Sequence, residues 1–158
     1  MTDLILLRHA HADAAGPGEA DLDRRLSAEG EAEAEAAANW LQAQGFSPER
    51  VLCSPAERTR ATCERVMRAL GYADLRACPQ IYEATPGTLL DLVDAHRDVP
   101  RLMLVGHNPG LERLLALLTS GRSGDVRGMP PGSVAWLRFD GSVPLEPGTA
   151  EVVHFWFP

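Results

Sequence analysis

Short apolar runs alternate with longer segments of helical periodicity from Leu4 to Leu118, and no other feature of the chain constrains its fold as strongly. This alternation predicts an α/β fold in which helices flank a mostly parallel central sheet, a three-layer sandwich. The predicted strands are Leu4–Leu7, Arg50–Cys53, Leu75–Cys78 and Leu102–Val105. The C-terminal segments Ser133–Phe139 and Glu151–Phe157 are separated by a loop rich in Gly and Pro, and they predict an antiparallel hairpin at the sheet edge.

Four helix starts can be recognised from their capping residues. Ser27 is expected to cap a helix that runs to about Gln44. The segment Ser54-Pro55-Ala56-Glu57 has the serine, proline and glutamate of a capping box, which predicts a helix capped by Ser54. Thr85-Pro86 and Asn108-Pro109 open two further helices in the same way.

The length of 158 residues suits a single domain, and we expect one domain over residues 1–158. The longest apolar run, Leu114–Leu118, is far shorter than the ~20 residues that a bilayer-spanning helix needs. The N-terminal residues do not resemble a signal peptide, because an acidic residue precedes only four consecutive apolar ones. The expected compartment is therefore the cytoplasm, with no membrane partner.

The charge balance is acidic, with 22 Asp and Glu against 15 basic residues and a formal net charge of −7. A nucleic-acid-binding protein normally shows a basic excess, so this balance argues against such a partner. All of the basic residues are arginines. The three cysteines form no CxxC pair, which argues against a disulfide framework and a structural zinc site.

Chemically versatile residues follow three of the predicted strands. Arg8-His9 comes directly after the first strand, Ser54 and then Arg58 follow the second, and Gly106-His107 follows the strand Leu102–Val105. In open α/β sheets, ligands bind beyond the carboxyl ends of the strands. Two of the five histidines and two arginines are therefore candidates to converge at one edge of the sheet.

Two of these residues lie where an anion would be favoured. Arg58 falls in the first turn of its helix, where the helix dipole disfavours a cation by ~0.3–1 kcal/mol and a bound anion would reverse that effect. The helix after His107 is expected to carry no acidic residue in its first three positions, leaving backbone N–H groups free for a phosphate oxygen. Taken singly, Arg58 could equally face solvent, and His107 could be an ordinary loop histidine.

His9 is the most informative residue, because it stands at the end of a buried strand beside Arg8. A positive field keeps an imidazole neutral and nucleophilic, provided that a hydrogen bond fixes its other ring nitrogen. An alternative is a metal site made by the alternating residues His9, His11 and Asp13. The fixed charge of Arg8 argues against a divalent cation there, and we expect no metal and His11 at the pocket rim or surface.

Together these residues resemble the histidine phosphatase superfamily (phosphoglycerate-mutase-like), and within it the SixA-like phosphohistidine phosphatases. Leu7-Arg8-His9-Ala10 is similar to the family's Arg-His-Gly element, and Leu26-Ser27-Ala28-Glu29-Gly30 to its Leu-Thr-x-x-Gly element. Ser54-Pro55-Ala56-Glu57-Arg58 and Val105-Gly106-His107-Asn108-Pro109 complete the set, in the family's order. Ala10 departs from the family's glycine, which is tolerable only if its backbone φ is negative.

The resemblance implies His9 as the nucleophile that accepts the phosphoryl group, with Arg8, Arg58 and His107 binding the phosphoryl oxygens. Glu83 falls where this branch carries a glutamate that serves as proton donor, although a surface carboxylate is the competing interpretation. No cofactor is implied.

The expected function is that of a metal-independent phosphatase that works through a phosphohistidine enzyme intermediate and dephosphorylates phosphohistidine in proteins, in phosphorelay signalling. The expected partner is thus a phosphorylated protein. A small-molecule phosphomonoesterase acting on a phosphorylated metabolite would use the same pocket, and a non-catalytic phospho-binding module is a third possibility. The presence of both His9 and His107 argues against the third, since phosphate binding alone needs no nucleophile.

Overall fold

A computed structural model describes residues 1–158, and its centre is one six-stranded sheet with the strand order β3-β2-β4-β1-β5-β6. The strands are β1 (Thr2–Arg8), β2 (Arg50–Cys53), β3 (Asp74–Ala77), β4 (Arg101–Gly106), β5 (Val134–Phe139) and β6 (Glu151–Trp156). The first four are mutually parallel, and β5 and β6 add an antiparallel edge. The fold is therefore the α/β sandwich that the sequence predicts, with the expected antiparallel pair at its C-terminal end.

Four α-helices cover the two faces of the sheet: α1 (Ala28–Ala43), α2 (Glu57–Leu70), α3 (Pro86–Ala95) and α4 (Gly110–Ser120). Helices α1 and α2 pack together, and α3 packs against α4. Leu4 and Leu6 of β1 belong to one apolar cluster, whereas Ile5 and Leu7 belong to the other, because successive side chains of a strand point to opposite faces. Both sheet faces are thus buried. None of the helices combines the length and apolar character needed to cross a membrane.

The predicted caps of α1 and α3 are confirmed. The Ser27 hydroxyl accepts a hydrogen bond from the Gly30 amide, and the Thr85 hydroxyl accepts one from Thr88. The predicted capping box at Ser54 is wrong, because α2 begins at Glu57 after Ala56, and no side chain caps it. The Ser54 hydroxyl instead makes a long-range hydrogen bond to the His107 ring.

The start of α4 also differs from its prediction. The predicted cap at Asn108 is wrong, because Pro109 precedes the helix and no side chain caps it, although the Asn108 side-chain oxygen accepts a hydrogen bond from the Glu112 amide at 3.3 Å. The helix begins at Gly110, and this places the acidic Glu112 in its first turn. The expectation of a helix start without a carboxylate is therefore wrong.

Gly30 lets α1 approach the loop that follows β1. A Cβ atom at this position would lie 1.9 Å from the backbone oxygen of His11. The same loop is held by the Ser27 amide, which donates to the His11 carbonyl oxygen. Close packing of backbone on backbone therefore explains why a glycine follows the serine cap by three residues.

We expect Gly30→Ala to lower the free energy of unfolding by ~1–3 kcal/mol, since the added methyl group must displace backbone atoms. Gly87→Ala in α3 is the matched control, because a Cβ atom added there would meet no neighbouring group within 4 Å and alanine favours a helix. Urea denaturation of both variants measures the difference. Equal stability of Gly30→Ala and the wild type would contradict the packing argument.

Candidate active site

The parallel pairing of β2, β4 and β1 brings the three predicted segments to one edge of the sheet. Arg8 pairs with Gly106 in register, and Cys53 pairs with Val105. The His9 amide then donates to the Gly106 carbonyl at 3.1 Å, and the Ser54 amide donates to the Val105 carbonyl at 3.1 Å. The residues that follow these strands therefore lie side by side.

His9 and His107 face each other across this edge, with ring centroids 5.2 Å apart. Both rings lie on a pocket of about 560 Å³ that also contains all the arginines predicted for the site. Its lining comprises Arg8, His9, Asp21, Arg24, Arg58, Tyr82, Glu83, Ala84, Thr85, Pro86, His107, Asn108, Pro109, Gly110 and Arg113. The structure thus brings together the five residues that the sequence singles out.

The His9 ring is held in one tautomer by the backbone carbonyl of the next residue. Its Nδ1 lies 2.7 Å from the Ala10 carbonyl oxygen, which can only accept, so Nδ1 carries the proton and Nε2 keeps its lone pair. Ala10 is buried, its φ is negative, and its amide donates to the Thr62 hydroxyl at 3.0 Å. The alanine in place of the family's glycine is therefore accommodated without backbone strain.

Burial and positive charge keep both histidines neutral. Burial, with a smaller contribution from the nearby Arg58, Arg8 and Arg24, lowers the pKa of His9 to about 4, against the Ala10 hydrogen bond, which raises it. Burial lowers the pKa of His107 to about 3, aided by His9 and Arg58. At neutral pH, His9 therefore presents an unprotonated Nε2.

His107 is positioned by the serine that the sequence assigns to a cap. Its Nε2 lies 2.7 Å from the Ser54 hydroxyl, and its ring packs edge-on against Tyr82 at 5.4 Å between centroids. Sequence spacing cannot indicate this hydrogen bond, because the two residues follow different strands.

Arg58 is buried, with 6% of the residue exposed, and it lines the pocket. Its Nη1 donates to the Asp21 backbone oxygen at 2.7 Å, and its Nη2 donates to the Asp21 carboxylate at 3.0 Å. Arg8 is half-buried and donates from Nη1 to the Met129 carbonyl at 2.8 Å. The Nε atoms of both arginines are buried without a protein acceptor.

Asp21 is the main site residue that sequence reasoning misses. Its carboxylate accepts hydrogen bonds from Tyr82 and Arg24 as well as Arg58. The Tyr82 hydroxyl is the largest cause of a pKa of Asp21 well below its usual range, and the Asp21 carboxylate in turn raises the pKa of Tyr82. Asp21 lies in a polar segment without the periodicity of a helix or strand. The only indication that a carboxylate belongs to this site is that a buried arginine needs a carboxylate partner.

Glu83 lies on the pocket lining with its side chain exposed. It is the only residue other than glycine with a positive φ, 56°, in the left-handed region. This conformation costs roughly 1–2 kcal/mol for an L-residue, and such strain is often retained at functional sites. The geometry therefore favours a functional carboxylate over an incidental one.

The alternative metal site is not formed. The exposed His11 ring places Nδ1 2.6 Å from the Ser27 hydroxyl, and its backbone amide donates to Glu33. No group of three or more His, Cys, Asp or Glu side chains is placed to hold a metal ion. His11 is therefore a surface residue that supports the start of α1.

Comparison with known proteins identifies the family. Residues 4–100 match the sequence model of the histidine phosphatase superfamily (branch 1). An uncharacterised protein of Mycobacterium tuberculosis is 35% identical over 132 residues, which cover 77% of this chain and 81% of that protein.

Solved structures of similar proteins share the whole fold. A candidate phosphohistidine phosphatase SixA from Agrobacterium tumefaciens superposes with a TM-score of 0.86 at 34% identity, covering 99% of this chain and 98% of the other. A second candidate SixA, from Nakamurella multipartitia, has a TM-score of 0.79 at 27% identity and covers 99% of this chain and 96% of its own. The chain therefore belongs to the histidine phosphatase superfamily, in its SixA-like branch, and is a phosphatase.

Proposed function

We propose that this phosphatase hydrolyses phosphohistidine in proteins, with His9 as its nucleophile and without a metal ion. The observation that carries the proposal is the His9 ring, held at Nδ1 by the Ala10 carbonyl and 5.2 Å from His107, in a pocket lined by arginines. A phosphoryl group needs a nucleophile on one side and positive charge around its oxygens, and this pocket contains both.

In the first step, His9 Nε2 attacks phosphorus, a P–N bond forms, and the bond from phosphorus to the leaving group breaks. Arg8, Arg58 and His107 bind the oxygens on which negative charge is spread. The unpaired Nε–H groups of the two arginines support this role, because a buried donor without an acceptor costs ~1–3 kcal/mol and an anion oxygen would satisfy it.

In the second step, water attacks the phosphorus of phospho-His9, and the P–N bond breaks to release phosphate and the neutral imidazole. The proton of the attacking water passes to Glu83 or to solvent. The Ala10 carbonyl holds the His9 ring in one tautomer throughout, so that the same Nε2 forms and breaks the bond.

We assign Glu83 as the proton donor to the leaving group in the first step. Its position on the lining and its strained backbone support this role. The need for a donor depends on the leaving group, because an imidazole departs more readily than an alkoxide. Glu83 is therefore more important for phosphate esters than for phosphohistidine.

The protein substrate is supported by the open mouth of the pocket. Glu83, Thr85 and Arg113 are exposed at its rim, so a phosphohistidine ring on another protein can enter. The similar Agrobacterium protein is described as a candidate phosphohistidine phosphatase. Phosphorelay signalling in the cytoplasm is the setting in which such a substrate would be met.

A phosphorylated metabolite is the second candidate substrate. The volume of about 560 Å³ falls within the range of ~300–1,000 Å³ that is typical of small-molecule pockets. The proposed chemistry at His9 is the same for both substrates, and only contacts at the rim would distinguish them.

We expect His9→Ala to lose turnover by ~10³-fold or more while its unfolding midpoint stays close to that of the wild type, because only the nucleophile is removed. Intact-mass analysis of the wild type during turnover of a phosphohistidine-bearing protein should detect one added phosphoryl group, absent from His9→Ala. EDTA should leave the wild-type rate unchanged.

The exposed His154, which lies outside the pocket, gives the matched control, and His154→Ala should retain full activity. Activity in His9→Ala, or loss of wild-type activity in EDTA, would contradict the proposed mechanism. Turnover of phosphate esters but not phosphohistidine would favour the metabolite substrate.

The lowered pKa values predict that His9 stays neutral well below pH 6.5. NMR titration of the ring signals should show inflections near pH 4 for His9 and near pH 3 for His107. Because the unfolded chain binds protons at a higher pH than the folded one, these groups also lower the free energy of unfolding as pH falls from about 6.5 towards 4. An inflection of His9 between pH 6 and 7 would show that the pocket does not suppress its protonation.

Glu83→Gln is expected to lower kcat for an alkyl phosphate ester by ~10²-fold and kcat for phosphohistidine by much less, because only the alkoxide needs a strong proton donor. Glu29→Gln is the control, since Glu29 is exposed on α1 outside the pocket. Steady-state kinetics on both substrates measures the difference. An equal loss on the two substrates would remove Glu83 from this role.

A further inference from the structure

Arg113 is an exposed arginine on the lining of the active-site pocket. It lies near the start of α4, whose Leu111, Leu114 and Leu115 are buried in the core. Since those residues fix the inner face of the helix, the side of α4 that carries Arg113 is directed towards the pocket mouth. Its long side chain therefore stands where a bound substrate would extend beyond the phosphoryl group.

No protein group binds the Arg113 side chain, whereas the other three arginines of the pocket each have an acceptor. Arg24 and Arg58 pair with Asp21, and Arg8 donates to the Met129 carbonyl. Ten of the 15 arginines in the chain form an ion pair, but Arg113 is not among them.

The nearest acidic neighbour along the chain is engaged elsewhere. The Glu112 carboxylate accepts a hydrogen bond from the Asn108 amide nitrogen at 3.2 Å and forms no ion pair with Arg113. Asp21 is already shared by two arginines and Tyr82. Arg113 is thus an unpaired cation at the pocket mouth of a chain whose net charge is −7.

We propose that Arg113 is a specificity-determining residue that binds a carboxylate on the substrate, next to the group that carries the phosphoryl. This inference rests on the proposed function only in placing the phosphoryl group beside His9. The carboxylate could belong to an amino-acid-like phosphate ester or to an acidic side chain beside a phosphohistidine. Arg113 pairs with it through charge-assisted hydrogen bonds, for which the planar guanidinium is suited.

Phosphoserine and phosphoethanolamine are the probes, because they differ only in the carboxylate. Calorimetric titration in a His9→Ala background measures binding without turnover. We expect phosphoserine to bind more tightly than phosphoethanolamine, and Arg113→Gln to weaken phosphoserine binding about fivefold to tenfold with a smaller effect on phosphoethanolamine. Arg113→Lys, which keeps the charge, should retain part of the preference.

Arg122 offers a matched control, because it is also exposed and unpaired but does not line the pocket. Arg122→Gln removes the same charge and should leave both affinities unchanged. A loss of phosphoserine affinity as large in Arg122→Gln as in Arg113→Gln would reduce the effect to overall charge and overturn the proposal.

Steady-state kinetics with intact His9 separates recognition from a structural role. Arg113→Gln should raise KM for the carboxylate-bearing substrate with little change in kcat. If Arg113 instead serves to orient Glu83, kcat would fall equally for both probes, and the proposal would be wrong. If the wild type hydrolysed no phosphorylated substrate but still bound phosphoserine more tightly than phosphoethanolamine, the proposed function would be rejected and the role of Arg113 would stand.

Phosphohistidine peptides with Glu or Gln beside the phosphorylated residue identify the source of the carboxylate. If Arg113→Gln raises KM for the Glu peptide alone, the carboxylate belongs to a protein substrate. If Arg113→Gln weakens phosphoserine binding and leaves KM for both peptides unchanged, the carboxylate belongs to a small substrate. The proposal would be overturned if neither pair of probes showed a dependence on the carboxylate.

Discussion

The in-register parallel pairing of β1 with β4 and of β4 with β2 is the constraint on which the rest of the structure depends. It aligns the carboxyl ends of three strands, and the backbone hydrogen bonds continue past them into His9 and Ser54. A shift of one residue in either pairing would point these side chains to the opposite face of the sheet. The candidate active-site pocket is therefore a direct consequence of sheet register, with both faces of the sheet buried beneath helices.

Electrostatics in this pocket serves two purposes at once. The arginines supply the positive field that a phosphoryl group needs, and the same field combines with burial to keep His9 unprotonated. A buried guanidinium such as that of Arg58 is costly without a counter-charge, and Asp21, the first residue of a short 3₁₀ helix, supplies it. Tyr82 joins this helix to the segment that carries Glu83, so the two walls of the pocket are connected through one carboxylate.

The arrangement separates the proposed chemistry from the proposed recognition. Arg8, His9 and His107 of the proposed phosphoryl site lie at strand ends, Arg58 lies in the first turn of α2, and Ser54 fixes the ring of His107. Glu83 and Arg113 stand at the exposed rim, one on a loop and one on α4. Substrate preference can therefore change at the rim without disturbing the register that positions His9.

Much of the fold and part of the site can be predicted from the sequence, because they depend on local or periodic signals. Apolar runs identified the strands, Ser27 and Thr85 marked two helix starts, and the order of Arg8, His9 and His107 predicted their convergence. The tertiary structure alone decided that Ser54 binds His107 rather than capping α2, and that Asp21 pairs with Arg58. Those contacts join segments distant in sequence, so they depend on packing and on the need to neutralise a buried charge, neither of which leaves a periodic pattern in the chain.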